Sequence, residues 1–216
     1  MLKLDGVRVG IKGFVILRGV TLEIPEGGVI GLVGRNGAGK TTTLRTIMGI
    51  LSVLAGKIEF DGNDLSQVPG HRRAHLGIGY MPEERRLIGR LTVEDNILMP
   101  AWATRDEGGA ERLSYIYRLM PEVQEMAGRR ATQLSGGQQK MVALARALMS
   151  GKKLLLLDEP FEGLSPALGD KLARTIEDLK REGLSVLMAE SDLRRVQFAE
   201  KIYTIERGEI IRGSGS

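Results

Sequence analysis

A glycine-rich octapeptide, Gly34–Thr41, carries the residue types that bind a polyphosphate. It matches the pattern G-x-x-x-x-G-K-[ST] in full. Its three glycines lack a Cβ, so successive backbone N–H groups can surround a chain of phosphates. Lys40 adds a point charge for the β- and γ-phosphates, and the Thr41 hydroxyl is placed for Mg²⁺. The segment therefore predicts a phosphate-binding loop for a nucleoside triphosphate.

Two adjacent carboxylates follow a fully apolar segment, Leu154–Leu157, later in the chain. The carboxyl end of a buried parallel strand is where α/β sheets present their sites. Asp158 is predicted to hold Mg²⁺, and Glu159 to activate the attacking water as a general base. By itself this pair could also be an ordinary solvated strand end, but a complete phosphate loop favours the catalytic interpretation.

A polar helix start at Ser135–Gln138 is a third candidate site. One interpretation is an ordinary N-cap followed by a permissive glycine pair. The other is a second phosphate cradle, since a helix N-terminus, a serine hydroxyl and bare glycines can all face an anion. The segment precedes the acidic strand end by one helix.

The elements around these motifs predict an α/β fold with a mostly parallel core sheet. Apolar Val29–Val33 runs into the phosphate loop, and helical spacing follows it to about residue 48. Short strands are predicted at 57–60, 78–80, 154–157, 185–189 and 202–205, and helices at 135–149, 166–182 and 192–200. Alternating residues before position 25 predict an N-terminal antiparallel subdomain. We expect a core at 1–83 and 152–212, a helical subdomain at 84–130, a helix at 131–151 and a flexible tail at 213–216.

Taken together and in this order, the three motifs resemble those of ABC transporter ATP-binding subunits, and the resemblance covers nearly the whole chain. It implies a RecA-like P-loop NTPase fold with ATP and Mg²⁺ as cofactors. It also implies a head-to-tail dimer, homomeric or heteromeric, that holds two ATP molecules between the phosphate loop of one subunit and Ser135–Gln138 of the other. Hydrolysis would open the dimer and drive transmembrane permease subunits.

Further segments are similar to the branched-chain amino acid importer ATPases: Tyr80–Arg86, Leu91–Asn96 and Glu162–Pro166. The resemblance places Glu83 where most of the family has Gln, and implies that it contacts Mg²⁺ or the attacking water. The alternative for Glu83 is a solvated loop acid.

The sequence departs from the family pattern at two positions. Ser191 stands where most members carry a His toward the γ-phosphate, and its hydroxyl is short and cannot be cationic. It could also cap a helix at 192–200, and both roles can hold at once. Ile11 stands where an aromatic residue usually stacks on adenine, with Phe14 three residues further on. We therefore expect weak adenine stacking and poor selectivity for ATP over GTP.

The complete set of predicted site residues combines the motifs with the family resemblance. The predicted catalytic residues are Glu159, Lys40 and Ser191; the nucleotide-binding residues are Ile11, Gly34, Arg35, Asn36, Gly37, Ala38, Gly39, Lys40, Thr41, Thr42, Ser135, Gly136, Gly137 and Gln138; the metal ligands are Thr41, Glu83 and Asp158.

Composition limits the remaining functions. The chain has 216 residues, 42% hydrophobic, with no Cys, so disulfide scaffolds, thiolate metal sites and Cys nucleophiles are excluded. It has no apolar signal segment or bilayer-spanning run, so we expect a cytoplasmic protein, peripheral on the inner face of the membrane. A net charge of +4 with only 4% aromatic residues is weak support for nucleic acid, and no nucleic-acid partner is predicted. Two alternatives stay open: an ATP-binding module with little hydrolysis, and a soluble ABC ATPase without a transport role.

Overall fold

Two β-sheets organise the chain in the computed structural model, which describes the backbone of residues 1–215 and the side chains of 1–213. The strands are β1 (Leu2–Ile11), β2 (Phe14–Ile24), β3 (Val29–Val33), β4 (Ala55–Phe60), β5 (Asn63–Asp64), β6 (Ile78–Met81), β7 (Leu154–Asp158), β8 (Ser185–Glu190), β9 (Lys201–Glu206) and β10 (Glu209–Gly215). The helices are α1 (Lys40–Ile47), α2 (Gly70–Arg73), α3 (Val93–Thr104), α4 (Gly109–Leu119), α5 (Pro121–Gln124), α6 (Gly136–Ser150) and α7 (Pro166–Arg181).

The N-terminal sheet is antiparallel, with the strand order β2-β1-β4-β5. Buried and exposed residues alternate along β1 because one face of this sheet packs on the core and the other meets solvent. A tight turn at Lys12 and Gly13, both with positive φ, joins β1 to β2. The predicted antiparallel strands are therefore present.

The second sheet has the order β10-β9-β3-β8-β7-β6, and its strands are parallel except for the β9–β10 pair. Every residue of β3, β7 and β8 is buried, because core side chains cover both faces of these strands. This accounts for their continuous apolar sequences. The predicted α/β class with a mostly parallel core sheet is confirmed.

Strand register brings the predicted motifs to one edge of this sheet. Val33 pairs with Glu190, and Asp158 pairs with Ala189 on the other side of β8. The residues that follow β3, β7 and β8 are therefore neighbours in space, although more than 100 residues separate the first from the others in sequence. A mostly parallel sheet thus assembles a site that no local segment could form.

Side-chain caps define where the important helices begin. Thr92 and Asp95 form a capping box at α3, and Ser135 and Gln138 form one at α6. Helices α3, α4 and α5 occupy most of the segment predicted to be helical. None of the helices formed by the described residues has the length and apolar character needed to cross a bilayer.

The segment after β8 differs from its prediction. Instead of a helix at 192–200, a short 3₁₀ helix forms at Leu193–Val196, capped by the Asp192 side chain. The predicted cap at Ser191 is therefore wrong. Leu193 is 50% exposed, so the segment has no continuous apolar face to hold a longer helix against the core.

The predicted flexible tail also needs correction. Strand β10 continues through Gly215, and its last residues pair with Lys201–Tyr203 of β9. Backbone hydrogen bonding to a neighbouring strand orders this glycine- and serine-rich segment despite its low strand propensity. The last position of the predicted tail, 216, lies outside the described residues.

Candidate active site

The loop between β3 and α1 is shaped by close backbone approaches that require glycine. A Cβ on Gly34 would lie 2.4 Å from the carbonyl oxygen of Ile205, and one on Gly39 would lie 2.9 Å from Leu17. Gly39 and Gly37 also have φ values of +115° and +79°, which L side chains rarely adopt. Apart from Gly37 itself and its two chain neighbours, no described residue has an atom within 4 Å of the Cβ position at Gly37, so this part of the loop faces open space. The loop therefore forms a cradle of backbone N–H groups that a side chain would obstruct.

Lys40 begins helix α1 and points back into the loop. Its side chain is 5% exposed. Its Nζ donates to the Gly34 carbonyl at 2.7 Å and to Ser191 Oγ at 3.1 Å, and pairs with Glu159 Oε1 at 3.1 Å. The ammonium group thus lies at the centre of the strand edge, where it joins the loop to the residues after β7 and β8.

Glu159 follows β7 in a conformation that is rare for a residue with a side chain, with φ of +48°. Its carboxylate accepts hydrogen bonds from the Ser191 backbone N–H at 3.2 Å and from the Ser191 hydroxyl. Burial opposes ionisation, but the hydrogen bonds from Ser191 and Glu190 and the charge of Lys40 together hold the pKa of Glu159 below its usual value. Glu159 is therefore ionised at neutral pH and can accept a proton.

Glu190 is a second carboxyl group beside Glu159. It is fully buried, and its Oε1 accepts a hydrogen bond from the Phe161 backbone N–H at 2.9 Å. Burial and the neighbouring Glu159 charge raise the pKa of Glu190 to about 8. Glu190 is thus protonated at neutral pH and can donate a hydrogen bond to the Glu159 carboxylate.

Asp158 and Thr41 are adjacent, with Thr41 Oγ1 donating to Asp158 Oδ1 at 3.0 Å. Burial, above all, raises the pKa of Asp158 to about 6, while hydrogen bonds from Thr41 and Tyr80 act in the opposite direction. A buried carboxylate of this kind fits a divalent cation, whose charge would stabilise the anionic form. No cluster of three or more metal-ligating side chains occurs among the described residues. Mg²⁺ usually takes one or two protein ligands together with phosphate and water.

A cavity of about 920 Å³ opens beside this cluster, within the size range of small-molecule sites. Many of the predicted residues line it: Ile11, Asn36, Gly37, Gly39, Lys40, Thr41, Thr42, Glu83, Glu159 and Ser191. The apolar end of the lining is formed by Ile11, Phe14 and Ile16, and Ile11 pairs with Phe14 across the β1–β2 turn. Phe14 is 74% exposed, so its ring is available to a flat ligand. The cavity therefore combines a polar phosphate end with an apolar end.

The predicted second cradle lies elsewhere. Ser135, Gly136, Gly137 and Gln138 form the start of α6, and none of these four lines the cavity. Ser135 Oγ accepts from the Gln138 N–H at 3.3 Å, and Gln138 Oε1 accepts from the Ser135 N–H at 2.9 Å. A Cβ on Gly137 would lie 2.7 Å from the Leu168 side chain. One chain thus brings together the phosphate loop and the acidic strand end, but not the second cradle.

A family model described as "ABC transporter" matches residues 17–162, which contain the phosphate loop, the α6 start and the acidic strand end. The chain belongs to the ABC transporter family. It is an ATP-binding cassette, an ATPase that couples hydrolysis to transport.

The chain is similar to named relatives over nearly its whole length. The branched-chain amino acid transport ATP-binding protein BraG of Pseudomonas aeruginosa is 36% identical over 212 residues, covering 98% of this chain and 91% of the relative. The lipopolysaccharide export ATP-binding protein LptB of Escherichia coli is 39% identical over 204 residues, covering 93% of this chain and 84% of the relative. The ADP conformation of the cassette MJ1267 superposes with a TM-score of 0.87 at 26% identity, covering 100% of this chain and 91% of the other.

Not every predicted site residue lines the cavity of the cassette. Gly34, Arg35, Ala38 and Asp158 do not line it, although they belong to the same loop and strand end. Asp158 is fully buried and approaches the cavity through Thr41. Both histidines, His71 and His75, are exposed and lie outside the cavity.

The sequence-based site omits two residues that contact Glu159. Glu190 was not singled out, although its place at the end of a buried strand is a signal for a buried acid. Lys140 was also missed. It occupies a buried position of α6 beside Met141, so a charged residue on the apolar face of a helix was the available sign.

Proposed function

We propose that this cassette is the ATP-hydrolysing subunit of an importer for branched-chain amino acids or similarly small polar solutes. It would work as a dimer beneath membrane permease subunits, at the cytoplasmic face of the membrane. The observation that carries the ATPase role is the cluster of Lys40, Glu159 and Ser191 at the polar end of the cavity. The importer branch rests on the resemblance carried by Tyr80–Arg86, whose Glu83 lines this cavity, and on the similarity to BraG.

In this mechanism, Lys40 and the loop N–H groups bind the β- and γ-phosphates of ATP and stabilise the charge that develops on them. Thr41, Asp158 and Glu83 would hold Mg²⁺ directly or through water. When bound, Mg²⁺ neutralises phosphate charge and fixes the geometry of the triphosphate. Glu159 orients a water molecule and takes its proton as the water oxygen bonds to the γ-phosphorus. The bond to the β-phosphate oxygen breaks, giving ADP and phosphate.

Dimerisation completes the site, because the α6 start lies outside the chain's own cavity. Ser135 of the partner subunit and the partner's Gly137 would face the γ-phosphate, with the α6 N-terminus supplying further N–H donors. The loss of the γ-phosphate removes this contact and weakens the dimer. The cassette MJ0796 has a solved structure that is described as dimeric. This chain superposes on it with a TM-score of 0.85 at 27% identity, and the match covers 98% of the MJ0796 chain. The second subunit is either another copy or a different ATPase.

Adenine recognition is assigned to the apolar end of the cavity. Ile11 packs against the ring without an aromatic face, and we assign to the exposed Phe14 the stacking that Ile11 cannot provide. We expect Phe14→Ala to raise the KM for ATP about tenfold, because one aromatic stack on a base contributes about 1–3 kcal/mol. The kcat of Phe14→Ala should stay within about twofold of the wild-type value, since the adenine ring is remote from the γ-phosphate.

Steady-state phosphate release with ATP and with GTP measures this effect. Val15→Ala is the matched control, because Val15 is 40% exposed next to Phe14 but does not line the cavity. An unchanged KM in Phe14→Ala would place adenine elsewhere.

Ser191 favours a second candidate function, an ATP-binding module with slow hydrolysis. Its hydroxyl lies within hydrogen-bond distance of Glu159, Lys40 and Asn36, and it carries no charge toward the γ-phosphate. We expect Ser191→His to raise kcat about tenfold, because an imidazole reaches further into the cavity and can stabilise negative charge in the transition state.

Single-turnover phosphate release, measured for the wild type and for Ser191→His, distinguishes fast from slow hydrolysis. Ser191→Ala is the control, and it should lower kcat because Glu159 loses a hydrogen-bond donor. If Ser191→His and the wild type release phosphate equally fast, position 191 does not limit the rate and the slow-hydrolysis candidate is removed.

The permease and solute are tested by affinity capture of the tagged cassette from solubilised membranes of the source cells. We expect a polytopic membrane protein to co-purify, and the reconstituted complex to take up radiolabelled leucine in an ATP-dependent manner. Release of lipopolysaccharide from vesicles would instead support an exporter related to LptB. Co-purification of ribosomes or DNA without a membrane protein would contradict a transport role.

A further inference from the structure

A buried lysine connects helix α6 to the backbone of the catalytic turn. Lys140 is 2% exposed. Its Nζ donates to the carbonyl oxygens of Glu159 and Glu162, each at 2.6 Å. The contacts are to backbone, so they set the position of the turn rather than the charge of its side chains.

The turn that Lys140 holds is unfavourable by itself. Glu159 has φ of +48°, and a conformation of this kind persists only where neighbouring structure enforces it. The Glu162 N–H closes the turn on the Glu159 carbonyl at 3.2 Å, and the Glu159 N–H donates to Ala189 of β8 at 2.9 Å. Lys140 therefore supplies hydrogen bonds from the helix side to the turn of a strained residue, whose backbone also bonds to its own turn and to β8.

A purely structural role does not explain a lysine here. Burial lowers the pKa of Lys140, and the charge of Glu162 acts in the opposite direction, so the protein bears a desolvation cost at this position. Its neighbours on the buried face of α6 are apolar, and a methionine of similar length would fill the same space without that cost. The hydrogen bonds that the ammonium group donates to the carbonyl oxygens of Glu159 and Glu162 account for a lysine at this position.

Helix α6 also carries the second cradle, at its N-terminus. Ser135 caps the helix, and Lys140 lies within its first two turns. A helix of this length moves as a rigid element, so a force on its N-terminus reaches Lys140 directly.

We infer that Lys140 is a positioning residue for Glu159, and that it links the α6 start, where the partner's ATP would bind, to the general base of the subunit's own site. This inference rests on the proposed role of Glu159 and on the dimer. One ATP bound across the interface would thus act on both active sites. Its γ-phosphate lies beside Glu159 of one subunit. It also contacts the α6 start of the other subunit and, through Lys140 of that helix, positions the second Glu159.

The test is a double-mutant cycle in the full chain with Lys140→Met and Glu159→Gln. We expect Lys140→Met to lower kcat about 30-fold and to change the KM for ATP by less than about twofold, because the phosphate loop is untouched. Since Lys140 acts through Glu159, adding Lys140→Met to Glu159→Gln should lower the single-turnover rate no further.

Arg112→Met is the matched control. Arg112 is half-buried and donates to the carbonyls of Leu148 at 2.9 Å and Gly151 at 3.1 Å, at the opposite end of α6. Both variants should lose thermal stability, but only Lys140→Met should lose kcat. Lys140→Gln, which keeps one amide donor, should fall between Lys140→Met and the wild type, and it decides the test if Lys140→Met does not fold.

Wild-type kcat in folded Lys140→Met, or rate losses that multiply in the double variant, would overturn the inference and leave the proposed function intact. Wild-type kcat in Glu159→Gln alone would instead overturn the proposed role of Glu159.

Discussion

Glu159→Gln should lower kcat about 10³-fold, within the range that a general base contributes, while the protein still binds ATP. The amide keeps the shape of the side chain but cannot accept the proton of the attacking water. The substitution also removes the 3.1 Å ion pair with Lys40. Lys40 is then freer to contact phosphates, so the affinity for ATP should increase while hydrolysis becomes slow.

The same variant tests the dimer. Because ATP is not consumed, the γ-phosphate stays between the phosphate loop and the α6 start of the partner subunit. We expect size-exclusion chromatography with light scattering to show a dimer with ATP and Mg²⁺, and a monomer with ADP. Glu23→Gln is the control, since Glu23 forms a 3.0 Å ion pair with Lys3 that is exposed on the surface. It should hydrolyse ATP like the wild type. A Glu159→Gln protein that stays monomeric with ATP at high concentration would contradict the sandwich arrangement or require a different partner subunit.

The phosphate loop and the acidic strand end were accessible from sequence because their chemistry is local. Glycines, a lysine and a threonine in fixed spacing specify the loop, and an apolar run followed by two acids specifies the strand end. Their meeting could also be predicted, since the carboxyl ends of parallel strands share an edge. The register that pairs Val33 with Glu190, and Asp158 with Ala189, provides that edge.

The features that could not be predicted from sequence depend on contacts between distant segments. Lys140 and Glu190 bind the turn around Glu159 from α6 and β8, and neither belongs to a local motif. The predicted helix at 192–200 failed because its apolar spacing gave no information about whether the core would cover Leu193. Strand β10 formed in a segment of poor strand propensity because β9 offers an open edge there. Tertiary context decided each of these cases.

Lys40→Ala should lower kcat/KM about 10³-fold, because a preorganised charge in a buried site stabilises the transition state by about 3–4 kcal/mol. Lys40 is 5% exposed and contacts the Gly34 carbonyl, Ser191 and Glu159. Removing it takes away the charge that meets the phosphates. It also removes one of the interactions that hold the pKa of Glu159 low, so that pKa should rise.

The loss of phosphate binding and the change in the pKa of Glu159 can be measured separately. Loss of phosphate binding appears as a higher Kd for ATP by isothermal titration calorimetry, whereas the rise in the pKa of Glu159 shifts the acid limb of the kcat profile to higher pH. Lys40→Arg should not restore activity, because a planar guanidinium does not fit the donor geometry that a compact ammonium satisfies among three oxygens. Lys152→Ala is the control, since Lys152 forms an exposed ion pair with Asp106 at 2.5 Å. If Lys40→Ala hydrolyses ATP at the wild-type rate, the phosphates are not bound by this loop, and the roles assigned to Glu159 and Ser191 at its edge lose their basis as well.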